Sequence, residues 1–167
     1  IDRINKRNPL MELGEIEATN PCAEMPLLPY EACVLGSVNL AVHVKDGLIN
    51  WDKLKETVEV AVRFLDDAID MSDFPLEEIK TVVKNNRKVG LGVMGFASML
   101  MILGIPYSYL KGIKTGRNIM RFINDTAHTV SEKLAEEKGE FPNFSRSTLK
   151  VKRRNALLTT IAPTGSL

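Results

Sequence analysis

The chain has 167 residues, of which 44% are hydrophobic and 26% charged, a globular balance with enough apolar material for one buried core. Its 22 basic and 21 acidic residues leave a net charge of +1, so no global field draws nucleic acid or an anionic membrane, and a small anionic ligand needs a local site. No apolar run reaches the roughly 20 residues of a membrane helix and the start lacks a signal-peptide core, so the expected location is cytoplasmic. Cys22 and Cys33, with ten residues between them, make neither a disulfide scaffold nor a zinc spacing, and thiol chemistry in a reducing compartment fits them better.

Residues 1–17 are polar and mixed in charge, with Asn8-Pro9 as a turn signal, and read as irregular or partly helical backbone. The stretch 18–40 carries the chemistry. If it runs extended, a period of two turns Asn20, Cys22 and Glu24 to one face, and Pro21 favours this by pushing Asn20 out of the helical region. That face would hold a hydrogen-bonding amide, a nucleophile or radical carrier, and a general base. Taken alone, the same pattern describes the wet side of an edge strand, and a free cysteine is more often a small buried hydrophobe than a catalyst.

Residues 37–44 alternate and predict a strand ending at the Asp46-Gly47 turn. Asn50 suits the N-cap of a helix to about residue 71, since Leu54, Val58, Ala61, Leu65 and Ala68 recur every three or four positions. Pro75 suits the first turn of a second helix to about residue 86. Residues 88–105 predict a tight glycine-rich lead-in and then a mostly buried helix closed by Gly104 and Pro106, with Met94, Met99 and Met101 as core filler. The longest helix is expected over 115–138, with Ile119, Ile123, Ala127, Val130 and Leu134 inward and Gly139 stopping it. Residues 140–154 read as a polar connection and 156–161 as a buried strand. Strands at both ends with helices between them argue for α/β layering.

Three weaker signals compete. Gly90, Gly92 and Gly95 match the dinucleotide fingerprint, but no buried strand precedes them and no acidic residue follows near twenty positions on, so close backbone packing is the preferred reading. Lys150, Lys152, Arg153 and Arg154 form a basic cluster without interleaved aromatics, a solvated connection rather than a nucleic-acid site. His43 and His128 have no metal-ligand spacing, and no metal site is expected. At the other end, Pro163, Thr164, Gly165, Ser166 and Leu167 place a glycine turn between two hydroxyls after a strand, an arrangement that presents donors to a phosphate.

The run Asn-Pro-Cys-Ala-Glu over Asn20, Pro21, Cys22, Ala23 and Glu24, followed by Pro-Leu-Leu-Pro-Tyr-Glu-Ala-Cys and Leu-Gly-Ser-Val-Asn-Leu, resembles the finger loop of the ribonucleotide reductase catalytic subunit. It is most similar to the adenosylcobalamin-dependent, class II branch. The glycine run at 88–95 and the terminal loop 163–167 resemble family segments in the same order. The resemblance implies that Cys22 becomes a thiyl radical, Glu24 is the base, Asn20 holds the sugar oxygens, and Cys33 is one of two cysteines that supply the reducing electrons. It implies a ribonucleotide substrate with its phosphates on 163–167, a thioredoxin-type reductant, and adenosylcobalamin bound outside this chain. It further implies a slice of a ten-stranded α/β barrel with a central finger loop, the whole chain being part of that barrel and completed by remaining segments of the same reductase. Two other readings stand beside it: a non-catalytic fragment that completes a barrel, and a dinucleotide-binding oxidoreductase module resting on the glycine run.

Overall fold

The computed structural model of the chain describes residues 1–165. A one-turn helix, α1 (Asp2–Asn5), opens it and is tied down at its end, because the Asn5 side chain accepts from Ile16 N (2.8 Å) and donates to Ile16 O (3.0 Å). Leu10 and Ile16 thereby enter a small core with Leu28, Phe141 and Ala156. β1 (Ala18–Thr19) and β2 (Pro26–Leu27) form an antiparallel hairpin. β3 (Val34–Asn39) begins three residues before the expected strand and ends at a 3-10 turn, Leu40–His43. The cause of that early stop is local: the Asn39 side chain accepts from Ala41 N (3.1 Å), which turns the backbone out of the ladder. β4 (Val44–Lys45) and β5 (Leu48–Ile49) pair over Asp46 and Gly47, both at positive φ (52° and 74°) as a two-residue hairpin turn requires.

α2 (Trp51–Met71) has the expected cap, Asn50 Oδ1 accepting from Lys53 N (3.0 Å), and buries Leu54, Val58, Val62, Leu65 and Ile69 on one face. α3 (Glu77–Asn86) starts beyond Pro75 because Leu76 stays extended. The glycine run is not the tight lead-in expected but a strand, β6 (Val89–Met94), parallel to β3 in register from Val34–Val89 to Asn39–Met94, and the expected helix follows it. Glycine is a poor helix former, and at alternate positions here it clears one face for crowding neighbours. A Cβ on Gly90 would lie 2.5 Å from Leu35 Cδ2, and one on Gly92 would lie 2.8 Å from Thr160 O.

α4 (Phe96–Ile102) follows the left-handed Gly95 and buries only Met99 and Leu100; Met101 is exposed, against the core role expected for it. α5 (Leu110–Lys138) begins five residues earlier than expected, because Gly112 lets its first turn close on Tyr107, whose carbonyl a Cβ would meet at 2.8 Å. The expected strand over 156–161 is extended but short of a full ladder. Val89 N donates to Leu157 O (3.1 Å), Leu91 N to Leu158 O (2.8 Å), and Thr160 N to Leu91 O (3.1 Å), a parallel bridge at Leu91–Thr159.

Two β-α-β crossovers therefore set β3, β6 and residues 157–160 side by side and parallel, with α2 and α5 packed together over them. The main core lies between these layers, around Leu54, Val58, Leu91, Met99, Ile119 and Ile123. This is α/β architecture, and among the described residues the sheet is open and closes no barrel.

The basic cluster is not a wholly solvated connection. Arg153 is buried and donates to Ala156 O (2.6 Å), while Arg154 reaches the buried Asp66 of α2 (3.3 Å). Asp66 also accepts from Arg87 Nε (2.9 Å) and Asn155 Nδ2 (2.8 Å), so one carboxylate ties α2, the end of α3 and the last segment together.

Candidate functional site

The expectation that 20–24 runs extended fails: these residues are the loop of the β1–β2 hairpin. Asn20 closes it with both its backbone and its side chain, since Asn20 N donates to Met25 O (3.2 Å), Asn20 Oδ1 accepts from Met25 N (3.0 Å), and Asn20 O accepts from Ala23 N (3.0 Å). Ala23 sits at φ 64° to make the turn. An asparagine side chain that bonds nearby backbone offers the chain an alternative to a strand, which is why period-two alternation misreads this stretch.

Pro21 and Cys22 are exposed at the tip, and Glu24 is half-buried on the return limb. Met25 is buried beneath it, its sulfur 3.2 Å from where a Cβ on Gly90 would stand, so the hairpin is plugged into the face of β6. A second tie fixes the limb itself: Thr160 Oγ1 donates to Glu24 O (2.7 Å). The Glu24 Oε2 atom is buried and has no hydrogen-bond partner among the described residues.

Beyond the hairpin, Leu28 O accepts from Glu31 N (3.1 Å) around Pro29 and Tyr30, whose φ of 59° suits the third position of a type II turn. The turn delivers Cys33, half-buried, to the start of β3. Burial pushes the Cys33 thiol up to about 11, with Glu24 and then Glu31 acting in the same direction and Lys88 against them. Cys33 and Glu24 are thus electrostatic neighbours, and at neutral pH Cys33 is a protonated thiol.

Residues 160–162 run past Gly92, where a Cβ would stand 3.6 Å from Ala162 N, and lead to Pro163, Thr164 and Gly165. Thr164 takes a left-handed φ of 50°. No hydrogen bond joins Pro163, Thr164 or Gly165 to the hairpin among the described residues, and Ser166 and Leu167 lie outside them. The structure thus brings Asn20, Cys22, Glu24 and Cys33 to one region and carries the glycine turn off the Thr160 limb tied to it.

Sequence reasoning missed Thr160, Glu31 and Lys88. Thr160 and Glu31 signalled only as polar residues in apolar or proline-rich runs, and Lys88, at the end of the polar run 84–88, gave no signal. A cleft of about 630 Å³ lies beside Pro26, Lys88 and Leu157 with Arg3 and Arg7 on its wall, and holds none of the four expected residues.

Gly90, Gly92 and Gly95 serve the close packing preferred for them and not a dinucleotide fingerprint, because Leu35, Thr160 and Asn39 fill the space their missing side chains leave. His43 is buried within hydrogen-bond distance of Asn39 O (2.8 Å) and Thr57 Oγ1 (2.9 Å), a structural position. Asp66, Asp67 and Asp70 cluster, but Arg87, Arg154 and Lys138 pair with them and neutralise the set. No helix among the described residues is long and apolar enough to cross a membrane.

A family model described as "Ribonucleotide reductase, barrel domain" matches residues 1–153. The chain is 53% identical over 171 residues to a vitamin B12-dependent ribonucleoside-diphosphate reductase of Thermoplasma acidophilum, and 52% identical over 169 residues to one of Mycobacterium tuberculosis. All of this chain aligns in both, with 22% and 24% of those relatives. A ribonucleoside-diphosphate reductase subunit alpha of Chlamydia pneumoniae is 35% identical over 150 residues, 87% of this chain and 14% of that protein. Among solved structures, the Actinobacillus ureae class Id ribonucleotide reductase alpha subunit superposes with a TM-score of 0.75 at 27% identity, covering 99% of this chain and 31% of that one. The chain therefore spans less than a quarter of the curated relatives named here, and it belongs to the ribonucleotide reductase barrel-domain family.

Proposed function

We propose that the chain is the part of an adenosylcobalamin-dependent ribonucleotide reductase that carries the radical cysteine, Cys22, and that the whole enzyme reduces ribonucleoside diphosphates with electrons from a thioredoxin-type dithiol. The substrate and cofactor follow the names of the relatives more than half identical to this chain. In this reading β3, β6 and residues 157–160 belong to a ten-stranded barrel, and the β1–β2 hairpin is its finger loop.

The observation that carries the reading is the hairpin itself. Its tip exposes Cys22 while Met25 and the Thr160–Glu24 bond hold its base rigidly on the sheet. A thiol that must remove a hydrogen atom from a sugar carbon needs this combination of open sulfur and fixed backbone. The radical on Cys22 would be generated with adenosylcobalamin held by other segments.

Cys22 takes the hydrogen from the 3′ carbon. Glu24, with a buried and unpartnered carboxylate oxygen, takes the 3′-hydroxyl proton. The 2′-hydroxyl takes one thiol proton of the dithiol and leaves as water, while the second thiol hydrogen and the dithiol's two electrons go to the 2′ carbon. Cys22 and Glu24 then return the 3′ hydrogen and the 3′-hydroxyl proton. Cys33 supplies reducing equivalents as a thiol beside Glu24 and ends in a disulfide with a cysteine of another segment. Asn20 shapes the loop and holds the sugar oxygens. Pro21 and Ala23 line the substrate, and Pro163, Thr164, Gly165, Ser166 and Leu167 hold its phosphates.

The test is Cys22→Ser in the full-length enzyme. Turnover is expected to vanish with nucleotide affinity retained, because an alkoxyl hydrogen is far harder to abstract than a thiol hydrogen. Normal product formation would remove Cys22 from this role. Multiple turnover by Cys33→Ser with a thioredoxin-type reductant would likewise remove Cys33.

A further inference from the structure

Glu31 and Lys88 face each other in the interior, their side chains 0% and 1% exposed. An ion pair buried this deeply loses more hydration than one contact returns, and persists where further hydrogen bonds complete it. Those bonds are present. Besides the Lys88 ammonium, Glu31 Oε2 accepts from Leu28 N (2.8 Å) and Oε1 from Asn86 Nδ2 (2.8 Å). Asn86 Oδ1 in turn accepts from Asn143 Nδ2 (2.8 Å).

The two residues stand at matched places in the sheet. Cys33 is the residue before β3, Lys88 the residue before β6, and the ladder begins with Val34 opposite Val89. Glu31, two positions before Cys33, closes the turn that carries it. The pair thus staples the Cys33 segment to the start of β6. An apolar pair of the same volume would stabilise this spot at least as well, so stability alone does not explain two buried charges.

We propose that Glu31 and Lys88 are positioning residues for Cys33, holding its thiol beside Glu24 and balancing the charge around it, an assignment that rests on Cys33 being the redox cysteine. The charged groups acting on Cys33 are Glu24, Glu31 and Lys88. With Lys88 set against Glu31, the carboxylate left to act on the thiol is that of Glu24.

The test uses the full-length reductase and reads alkylation of Cys33 by iodoacetamide at fixed mildly alkaline pH, followed by mass spectrometry of its peptide. Lys88→Met leaves the Glu31 anion uncompensated and is expected to slow alkylation about threefold to tenfold. Glu31→Gln leaves the cation and is expected to speed it by a similar factor. The double variant Glu31→Gln/Lys88→Met returns the rate toward that of the unsubstituted enzyme. Opposite signs are diagnostic, because mere loosening would expose Cys33 and speed alkylation in both single variants. Equal signs, or no change, overturn the proposal.

The double variant leaves no buried charge unpaired and decides the matter if a single variant does not fold. Its dithiol-dependent turnover is expected to fall about tenfold with KM for the ribonucleotide held. Unchanged turnover in the folded double variant overturns the proposal. Failure of the redox reading looks different: Cys33→Ser would turn over normally, while the Lys88→Met and Glu31→Gln variants would still shift the alkylation rate in opposite directions.

Discussion

Arg87 shows how two residue-scale effects are weighed against each other. It ends α3 at φ 47°, a left-handed conformation that glycine adopts without penalty, while its guanidinium is held by Asp66 and Asp70. Arg87→Gly would relieve about 1 kcal/mol of backbone strain. It would also take one guanidinium from the buried Asp66 carboxylate, which keeps Arg154 and Asn155, at about 3 kcal/mol. The expected result is a net loss of about 2 kcal/mol in the urea unfolding of the full-length protein, and a stabilised variant would show that the Arg87 ion pairs contribute less than the strain they offset. His128 offers a pH test. Burial and then the neighbouring Arg153 hold its pKa below the ordinary 6.5, and Arg153 donates to its Nδ1 (3.0 Å), which requires the neutral ring. A depressed histidine gives stability that is complete above its unfolded pKa and lost as pH falls through that value toward the folded one. The melting temperature should therefore drop between pH 7.5 and 5.5, and the His128→Asn profile should be flatter over that window.

Among the elements, the glycine strand is the one on which the site depends. Gly92 faces the backbone carbonyl of Thr160 at 2.8 Å from a notional Cβ, whereas Gly90 faces the ends of the Leu35 and Thr160 side chains. The Leu35 end can swing aside, whereas the Thr160 backbone, and its side chain bonded to Glu24 O, cannot. Gly92→Ala and Gly90→Ala are each expected to cost about 1–3 kcal/mol, read by thermal unfolding. Gly92→Ala should also lower turnover, because Thr160 is the residue that ties down the Glu24 limb of the hairpin. An alanine at 92 that left both stability and turnover intact would mean that the 157–160 segment is not held as described.

For the molecule as a whole, the relevant fact is an open sheet. Among the described residues β3 pairs only with β6, and the exposed Leu35, Val42 and Phe64 lie beside it. Unpaired strand edges with apolar neighbours favour association with other chains. The isolated 167 residues are expected to self-associate and to produce no deoxyribonucleotide when given a ribonucleotide, adenosylcobalamin and a dithiol. Adding the remaining reductase segments in trans should restore both cooperative unfolding and activity. A monomer in sedimentation that also reduces substrate would make the chain a minimal enzyme and overturn the barrel-slice reading.

The sequence by itself determined the features that depend on neighbours in the chain. Asn50 capping α2, the Asp46-Gly47 hairpin and the inward face of α5 are local chemistry and periodicity, and all were legible. The order Asn-Pro-Cys-Ala-Glu, followed by Pro-Leu-Leu-Pro-Tyr-Glu-Ala-Cys and Leu-Gly-Ser-Val-Asn-Leu, likewise pointed to a reductase family. Tertiary structure decided whatever depends on residues far apart. Gly90 and Gly92 are strand glycines because Leu35 and Thr160 press against them, not because of anything at 88–95. Asn20, Cys22 and Glu24 share a hairpin loop instead of an extended face, since Met25 is buried against β6 and Thr160 grips Glu24 across 136 positions. Glu31 and Lys88, 57 positions apart, could be recognised as a pair only once β3 and β6 were in register. A buried charge finds its partner through space, and a linear pattern carries no record of that distance.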